Sequence, residues 1–163
     1  MENGIKRDIR LVGLDLDGTV FTDEKTITPA TRDAIARAVR AGVAVLPVTG
    51  RPRSGLPEEV LAIPGVRYAI TSNGAMCEDL AEDKVLVRLA MDEETAMRAL
   101  RIAEKYDVVI DIYIDGQAYT AADSMRLVQT HVPESFRPYF LKTRRLVEDR
   151  GRFLRQTGRG AEK

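Results

Sequence analysis

The run Leu11-Val12-Gly13-Leu14-Asp15-Leu16-Asp17-Gly18-Thr19 constrains the fold more than any other stretch of this 163-residue chain. Its apolar start, with few polar interruptions, reads as a buried strand. It stops at two carboxylates one residue apart, then at a glycine that lets the backbone turn sharply. Side chains two apart on a strand share a face, so Asp15 and Asp17 are expected to project together from its carboxyl end, where open α/β sheets bind ligands. Two like charges this close are costly unless a cation lies between them, which points to a hard metal such as Mg²⁺ with oxygen ligands. An Asp-x-Asp alone is weak evidence, because turns are rich in Asp for local reasons.

Residues further along the chain give the acidic pair its partners. Val20 to Ile27 carries Thr22, Asp23, Glu24 and Lys25 and reads as a short polar flap. Thr28-Pro29 looks like a helix cap with proline at the first helical position, Ala34, Ile35, Ala38 and Val39 recur at helical spacing, and Gly42 stops the run. Val43 to Val48 is a second buried strand, and strand, helix, strand implies a right-handed crossover with parallel pairing. It ends at Thr49-Gly50-Arg51, a hydroxyl and an unhindered backbone N–H suited to a phosphoryl oxygen. Pro52 to Ile63 reads as helical after a loose start, and Arg67 to Thr71 as a third strand ending at Ser72-Asn73-Gly74. Three consecutive strands would then bring Asp15, Thr49 and Asn73 to one sheet edge.

Beyond Ala75 the texture changes. An acidic turn from Glu78 to Asp83 separates two short strand-like runs, and a domain boundary is expected near residues 80 to 92, giving units 1–82 and 83–163. Asp92 caps an amphipathic helix with Ala96, Leu100 and Ala103 on one face. Val108 to Ile114 alternates like a strand, and Asp115-Gly116 reads as a hairpin turn into Gln117 to Thr120. Met125, Leu127 and Val128 suggest a further helix that Pro133 and Pro138 interrupt. His131, the one histidine, has no metal-ligand spacing around it and reads as structural. From Arg137 to Lys163 basic residues outnumber acidic ones, and a solvated helix and tail is expected.

Charge narrows the partners. Lysine plus arginine equals aspartate plus glutamate at 25 each, so nothing overall argues for nucleic acid or an anionic membrane, and the basic tail lacks an aromatic stacking pattern. No stretch approaches a membrane span, and the charged stretch from Met1 to Arg10 does not read as a secretory signal. The single cysteine, Cys77, excludes an intrachain disulfide, which makes a reducing, cytoplasmic setting the simpler expectation.

Asp-Leu-Asp-Gly-Thr after such a strand resembles the first motif of the haloacid dehalogenase-like (HAD) phosphohydrolases. Thr49-Gly50-Arg51-Pro52 and Thr71-Ser72-Asn73-Gly74-Ala75 extend the resemblance to their Cof-type (IIB) branch, over residues 9 to about 120. The resemblance implies an α/β fold, with a Rossmann-like core of parallel strands and an α/β cap. It implies hydrolysis of phosphate monoesters of small, sugar phosphate-like metabolites through an aspartyl phosphate. Asp15 would be the nucleophile and Asp17 the acid and base. Mg²⁺ would be held by the Asp15 side chain and the Asp17 backbone carbonyl. Thr49 and Gly50 would grip the phosphoryl group, and Arg51 and Asn73 would orient substrate or loop. The second Asp favours hydrolase or phosphomutase chemistry over the P-type ATPase relatives.

The chain also departs from that pattern. No return to the core with a lysine and a Gly-Asp-x-x-x-Asp-like motif is found. Lys142, Lys163, Asp107, Asp111 and Asp115 all read as cap residues, so the chain looks like an amino-terminal portion ending inside the cap. This raises two expectations: an open edge on the Asp-bearing strand that favours self-association, and impaired catalysis. The alternative is a non-catalytic binding or oligomerisation module. A nucleotide-binding Rossmann module is disfavoured because neither a Gly-x-Gly-x-x-Gly turn nor a P-loop appears.

Overall fold

The computed structural model of the protein describes residues 8–163. The amino-terminal stretch considered as a secretory signal lies outside them up to residue 7. The apolar run forms β1 (Leu11–Leu14), which is half-exposed rather than buried as expected, the capped segment forms α1 (Pro29–Arg40), and the second run forms β2 (Ala44–Pro47), which is buried. Thr28 caps α1 by accepting from the Thr31 N–H at 3.1 Å, and β1 and β2 pair in parallel from Leu11 opposite Ala44 to Leu14 opposite Pro47. α1 lays Ile35, Ala38 and Val39 on a core that also holds Leu16, Val45 and Val60. That is the apolar face its spacing foretold.

The third run forms β3 (Tyr68–Thr71), joined to β2 by one parallel bridge between Val48 and Ile70. β3 continues antiparallel into β4 (Met76–Asp79) and β5 (Lys84–Arg88). The division expected after residue 82 falls in the turn of the β4–β5 hairpin. The helix expected over Pro52 to Ile63 shrinks to a tight turn at Arg53–Gly55 and a single-turn α2 (Glu58–Leu61), because Pro57 cannot continue a hydrogen-bonded helix. Among the described residues no strand pairs with the outer edge of β1, where Ile9 and Leu11 are 59% and 61% exposed.

After α3 (Glu93–Ala103), capped by Asp92, comes a second small sheet: β6 (Ile112–Ile114) and β7 (Gln117–Thr120) form an antiparallel hairpin, and β8 (Arg144–Leu146) joins β7 in parallel. Asp115 and Gly116 turn the hairpin with φ of 50° and 71°, as a tight two-residue loop requires. The strand expected from Val108 is shorter than its alternation suggested. Side chains take the backbone bonds of Ile110, whose N–H donates to Ser124 Oγ at 2.9 Å while its carbonyl accepts from Thr120 Oγ1 at 3.1 Å. The interrupted helical stretch becomes α4 (Ala122–His131) and α5 (Arg137–Thr143).

The carboxyl-terminal stretch is not the solvated helix and tail expected. α6 (Arg150–Thr157) buries Leu154 completely, and Ala161 is 1% exposed. The last residues run beside β6: the Glu162 N–H donates to the Tyr113 carbonyl at 2.8 Å, and the Tyr113 N–H donates to the Lys163 carbonyl at 2.9 Å. Ala161 pairs with Met91 on the other side. Abundant arginine hid this, because Arg152 and Arg155 lie on the outer face of α6 while Leu154 and Phe153 face inward.

Candidate active site

Asp15 and Asp17 sit at the start of the wide turn Leu16–Val20 that continues from β1. Leu16 between them is buried and the two acids flank it on the wet side, so the alternation of the strand carries past its end. Their surroundings differ. Asp15 is exposed, and its Oδ2 accepts from the Thr19 hydroxyl at 3.3 Å. Asp17 is gripped: Arg51 Nε donates to Oδ2 and Nη2 to Oδ1, each at 2.8 Å, and Lys25 Nζ from the flap donates to Oδ1 at 3.2 Å. The hydrogen bonds from Arg51 hold the Asp17 carboxyl below the usual carboxylate range; partial burial opposes them, and the charges of Arg51 and Lys25 add to them.

Arg51 itself is buried. Its remaining arm donates to the Gly55 carbonyl at 3.3 Å, and its guanidinium lies 4.1 Å from the centre of the Tyr139 ring and 5.3 Å from that of Phe21. An arginine so committed positions Asp17 rather than reaching for a free anion. The pair is covered and bidentate, unlike a surface salt bridge between mobile side chains.

Thr49 and Gly50 come directly after β2. The buried Thr49 hydroxyl accepts from the Arg51 N–H at 3.2 Å, which leaves its own proton to donate. The loop is clamped to the end of β3: the Asn73 N–H donates to the Thr49 carbonyl at 3.2 Å and the Ser72 N–H to the Arg51 carbonyl at 2.8 Å. Ser72, Asn73 and Gly74 all take positive φ, at 52°, 58° and 94°, so the bend that makes this clamp is conformationally costly. The Asn73 side-chain oxygen lies over Gly50, where a Cβ would have to displace it.

A cleft of about 500 Å³ gathers Asp17, Thr49, Gly50 and Arg51 on one wall, with Lys25 above them. Asp15, two residues from Asp17, and Asn73 stand outside its lining, against the expectation that Asp15, Thr49 and Asn73 meet at one edge. The other wall comes from the second unit: Asp111, Tyr113, Phe136, Tyr139, Arg144 and Lys163. Sequence reading missed these as site residues. Asp111 and Tyr113 carry a faint signal, lying two apart on an alternating run, but Tyr139, Arg144 and Lys163 are placed by folding alone. Arg144 is tied to Asp111 at 2.9 Å and to the Thr143 hydroxyl at 2.7 Å. Burial raises the Tyr113 hydroxyl to about 12, keeping it protonated.

Parallel strands, one of them leading into an acidic pair at its carboxyl end, and helices packed on them define a mixed α/β, Rossmann-like fold. The family model for haloacid dehalogenase-like hydrolases matches residues 12–150, and the chain belongs to that family. Escherichia coli pyridoxal phosphate phosphatase YbhA is 28% identical over 144 residues, covering 85% of this chain and 53% of that protein. The Bacillus subtilis 5-amino-6-(5-phospho-D-ribitylamino)uracil phosphatase YwtE is 28% identical over 117 residues, 71% of this chain and 39% of that protein. The HAD subclass IIB sugar phosphatase BT4131 superposes with a TM-score of 0.73 at 18% identity, over 93% of this chain and 56% of that one, a likeness of fold. The chain spans about half the length of the curated relatives it matches. No helix among the described residues is long and apolar enough to cross a membrane.

Proposed function

We propose that this chain takes part in hydrolysing phosphate monoesters of small, sugar phosphate-like metabolites, with residues 1–82 serving as core and 83–163 as cap. The reading is carried by the meeting of Asp17, Thr49, Gly50 and Arg51 on one cleft, with the exposed carboxylate of Asp15 two residues before Asp17. An Asp15 oxygen bonds to phosphorus as the ester P–O bond opposite it breaks, and the departing alkoxide takes a proton from Asp17. In the second half Asp17 takes a proton from water, whose oxygen attacks phosphorus and releases Asp15 and inorganic phosphate. Thr49 donates its hydroxyl, and Gly50 its N–H, to the phosphoryl oxygens. Arg51 and Asn73 hold the loop and Asp17 in place.

The Arg51 fork keeps Asp17 charged, which suits the base half directly. For the acid half Asp17 must first be protonated, and an incoming phosphate dianion beside it raises its affinity for a proton. Mg²⁺ fits the donors: Mg²⁺ in phosphate-handling sites uses one or two carboxylates plus water and substrate oxygens, and Asp15 is exposed with one oxygen engaged, by Thr19. Held by the Asp15 side chain and the Asp17 backbone carbonyl, the ion would supply positive charge against phosphate and nucleophile.

The test is Mg²⁺-dependent release of p-nitrophenol from p-nitrophenyl phosphate. Asp17→Asn is expected to lower it by about 10²- to 10⁴-fold, and Asp15→Asn to abolish it. Turnover that survives Asp15→Asn would overturn the reading. The open edge of β1, with Ile9 and Leu11 exposed, favours a second one, a non-catalytic binding or oligomerisation module. It predicts Mg²⁺ affinity indifferent to Asp15 and Asp17.

A further inference from the structure

Among the side chains of the wall facing the core, Arg144 and Lys163 stand against the single carboxylate of Asp111. Arg144 spends its donors on Asp111, the Thr143 hydroxyl and the Tyr113 hydroxyl, so Asp111 compensates it locally. Lys163 is different. Its Nζ lies 5.2 Å from the centre of the Tyr113 ring, and among the described residues no carboxylate comes within ion-pair distance of it. Around the whole cleft, Lys25, Arg51, Arg144 and Lys163 face Asp17 and Asp111, and Asp17 is already engaged by both Lys25 and Arg51. Desolvation and next the charge of Arg144 push the Lys163 amine down, and the charge of Asp111 opposes them. A second negative charge brought here would relieve that repulsion.

We infer that Lys163, backed by Arg144 and Tyr113, recognises an anionic group on the leaving-group side of the substrate, so that the preferred ester carries a carboxylate or second phosphate besides the scissile one. The inference rests on the phosphate-handling reading of the core wall. With the phosphoryl group at Thr49 and Gly50, the rest of the molecule extends across the cleft towards the cap. There Lys163 Nζ donates to the distal anion, and the Tyr113 hydroxyl, kept protonated by burial, offers a second donor. Arg144 contributes its field and holds Tyr113 and Asp111, while its own hydrogen bonds stay in place. A neutral polyol at the same position would gain none of this.

Two esters of nearly equal shape test it. Glycerol phosphate and 3-phosphoglycerate differ in a hydroxymethyl against a carboxylate, and inorganic phosphate reports on the core wall alone. By calorimetric titration of the full chain with Mg²⁺ present, 3-phosphoglycerate is expected to bind at least about tenfold more tightly than glycerol phosphate. That ratio should collapse in Lys163→Met and persist in Lys163→Arg, which keeps the cation. Equal binding of the two esters, or a preference that survives Lys163→Met, overturns the inference while inorganic phosphate binding leaves the core reading intact. Failure of all three ligands to bind overturns both.

Discussion

Arg51 holds Asp17 by both arms of its fork, Nε and Nη2 each 2.8 Å from a different carboxylate oxygen. The pair joins the loop after β2 to the turn after β1, and Tyr139 of the second unit lies over the guanidinium. One ion pair therefore locks two strand ends together, with a residue of the second unit against them.

Replacing the fork with a point charge should undo this. A lysine cannot bind both oxygens of a carboxylate in one plane, so Arg51→Lys is expected to let Asp17 titrate closer to its ordinary value. The change is measurable by carboxyl-carbon NMR. Because the folded Asp17 lies below its unfolded value, the stability it contributes is complete above about pH 4 and fades as pH falls through the depressed folded value. Urea unfolding between acid and neutral pH should show that dependence in the parent and a weaker one in the variant. Removing charge-assisted bonds of this kind costs roughly 1.5–3 kcal/mol.

A Cβ on Gly50 would meet the Asn73 side-chain oxygen, the end of an exposed side chain that can turn aside. Gly50→Ala should turn the Asn73 side chain aside at a cost of about 0.5–1.5 kcal/mol and weaken inorganic phosphate binding. Asn73→Ala in the same chain should recover part of the stability by clearing the collision. Calorimetric melting of the single and double variants checks both statements.

Glu78 on β4 is a buried carboxylate whose pKa burial raises, against the hydrogen bond from the Thr71 hydroxyl at 3.2 Å and the charge of Arg53 at 3.6 Å. Its folded value lies above its unfolded one, so its contribution to stability is complete below about pH 4.3 and is lost as pH rises through the folded value. Glu78→Gln removes the charge and keeps a hydrogen-bonding group for Thr71. The variant is expected to be the more stable chain at pH 7 and to lose this part of the pH dependence, both readable from denaturant midpoints.

Among the described residues nothing pairs with the outer edge of β1, beside Ile9 and Leu11. Edges of this kind pair with other edges unless charge prevents it. Concentration-dependent association is expected for the parent chain in sedimentation velocity, and Leu11→Lys should shift it towards monomer. A parent that stays monomeric at high concentration would refute this.

The acidic turn after an apolar run, the strand–helix–strand order and the Thr49–Arg51 and Ser72–Gly74 strand ends were legible from residue order, because strand and helix periodicities and turn chemistry act over a few neighbours; the burial expected of β1 was not met, since no neighbour among the described residues covers its outer side. Those local rules placed β1 to β3, α1 and the Asp115-Gly116 hairpin. They failed where distant groups compete for the same backbone or the same face. Ile110 gives its bonds to Ser124 and Thr120 and leaves the strand early, and the arginine-rich end that looked solvated buries Leu154 and Ala161 because α3 and β6 offer it an apolar bed. The division of labour between the two aspartates was likewise decided only in three dimensions. Both stand on the wet side of Leu16, but Arg51, thirty-four residues from Asp17, takes that carboxylate alone. The second unit's wall of the cleft has the same origin: Asp111, Tyr139, Arg144 and Lys163 share no spacing, and packing of separate elements is what brings them together.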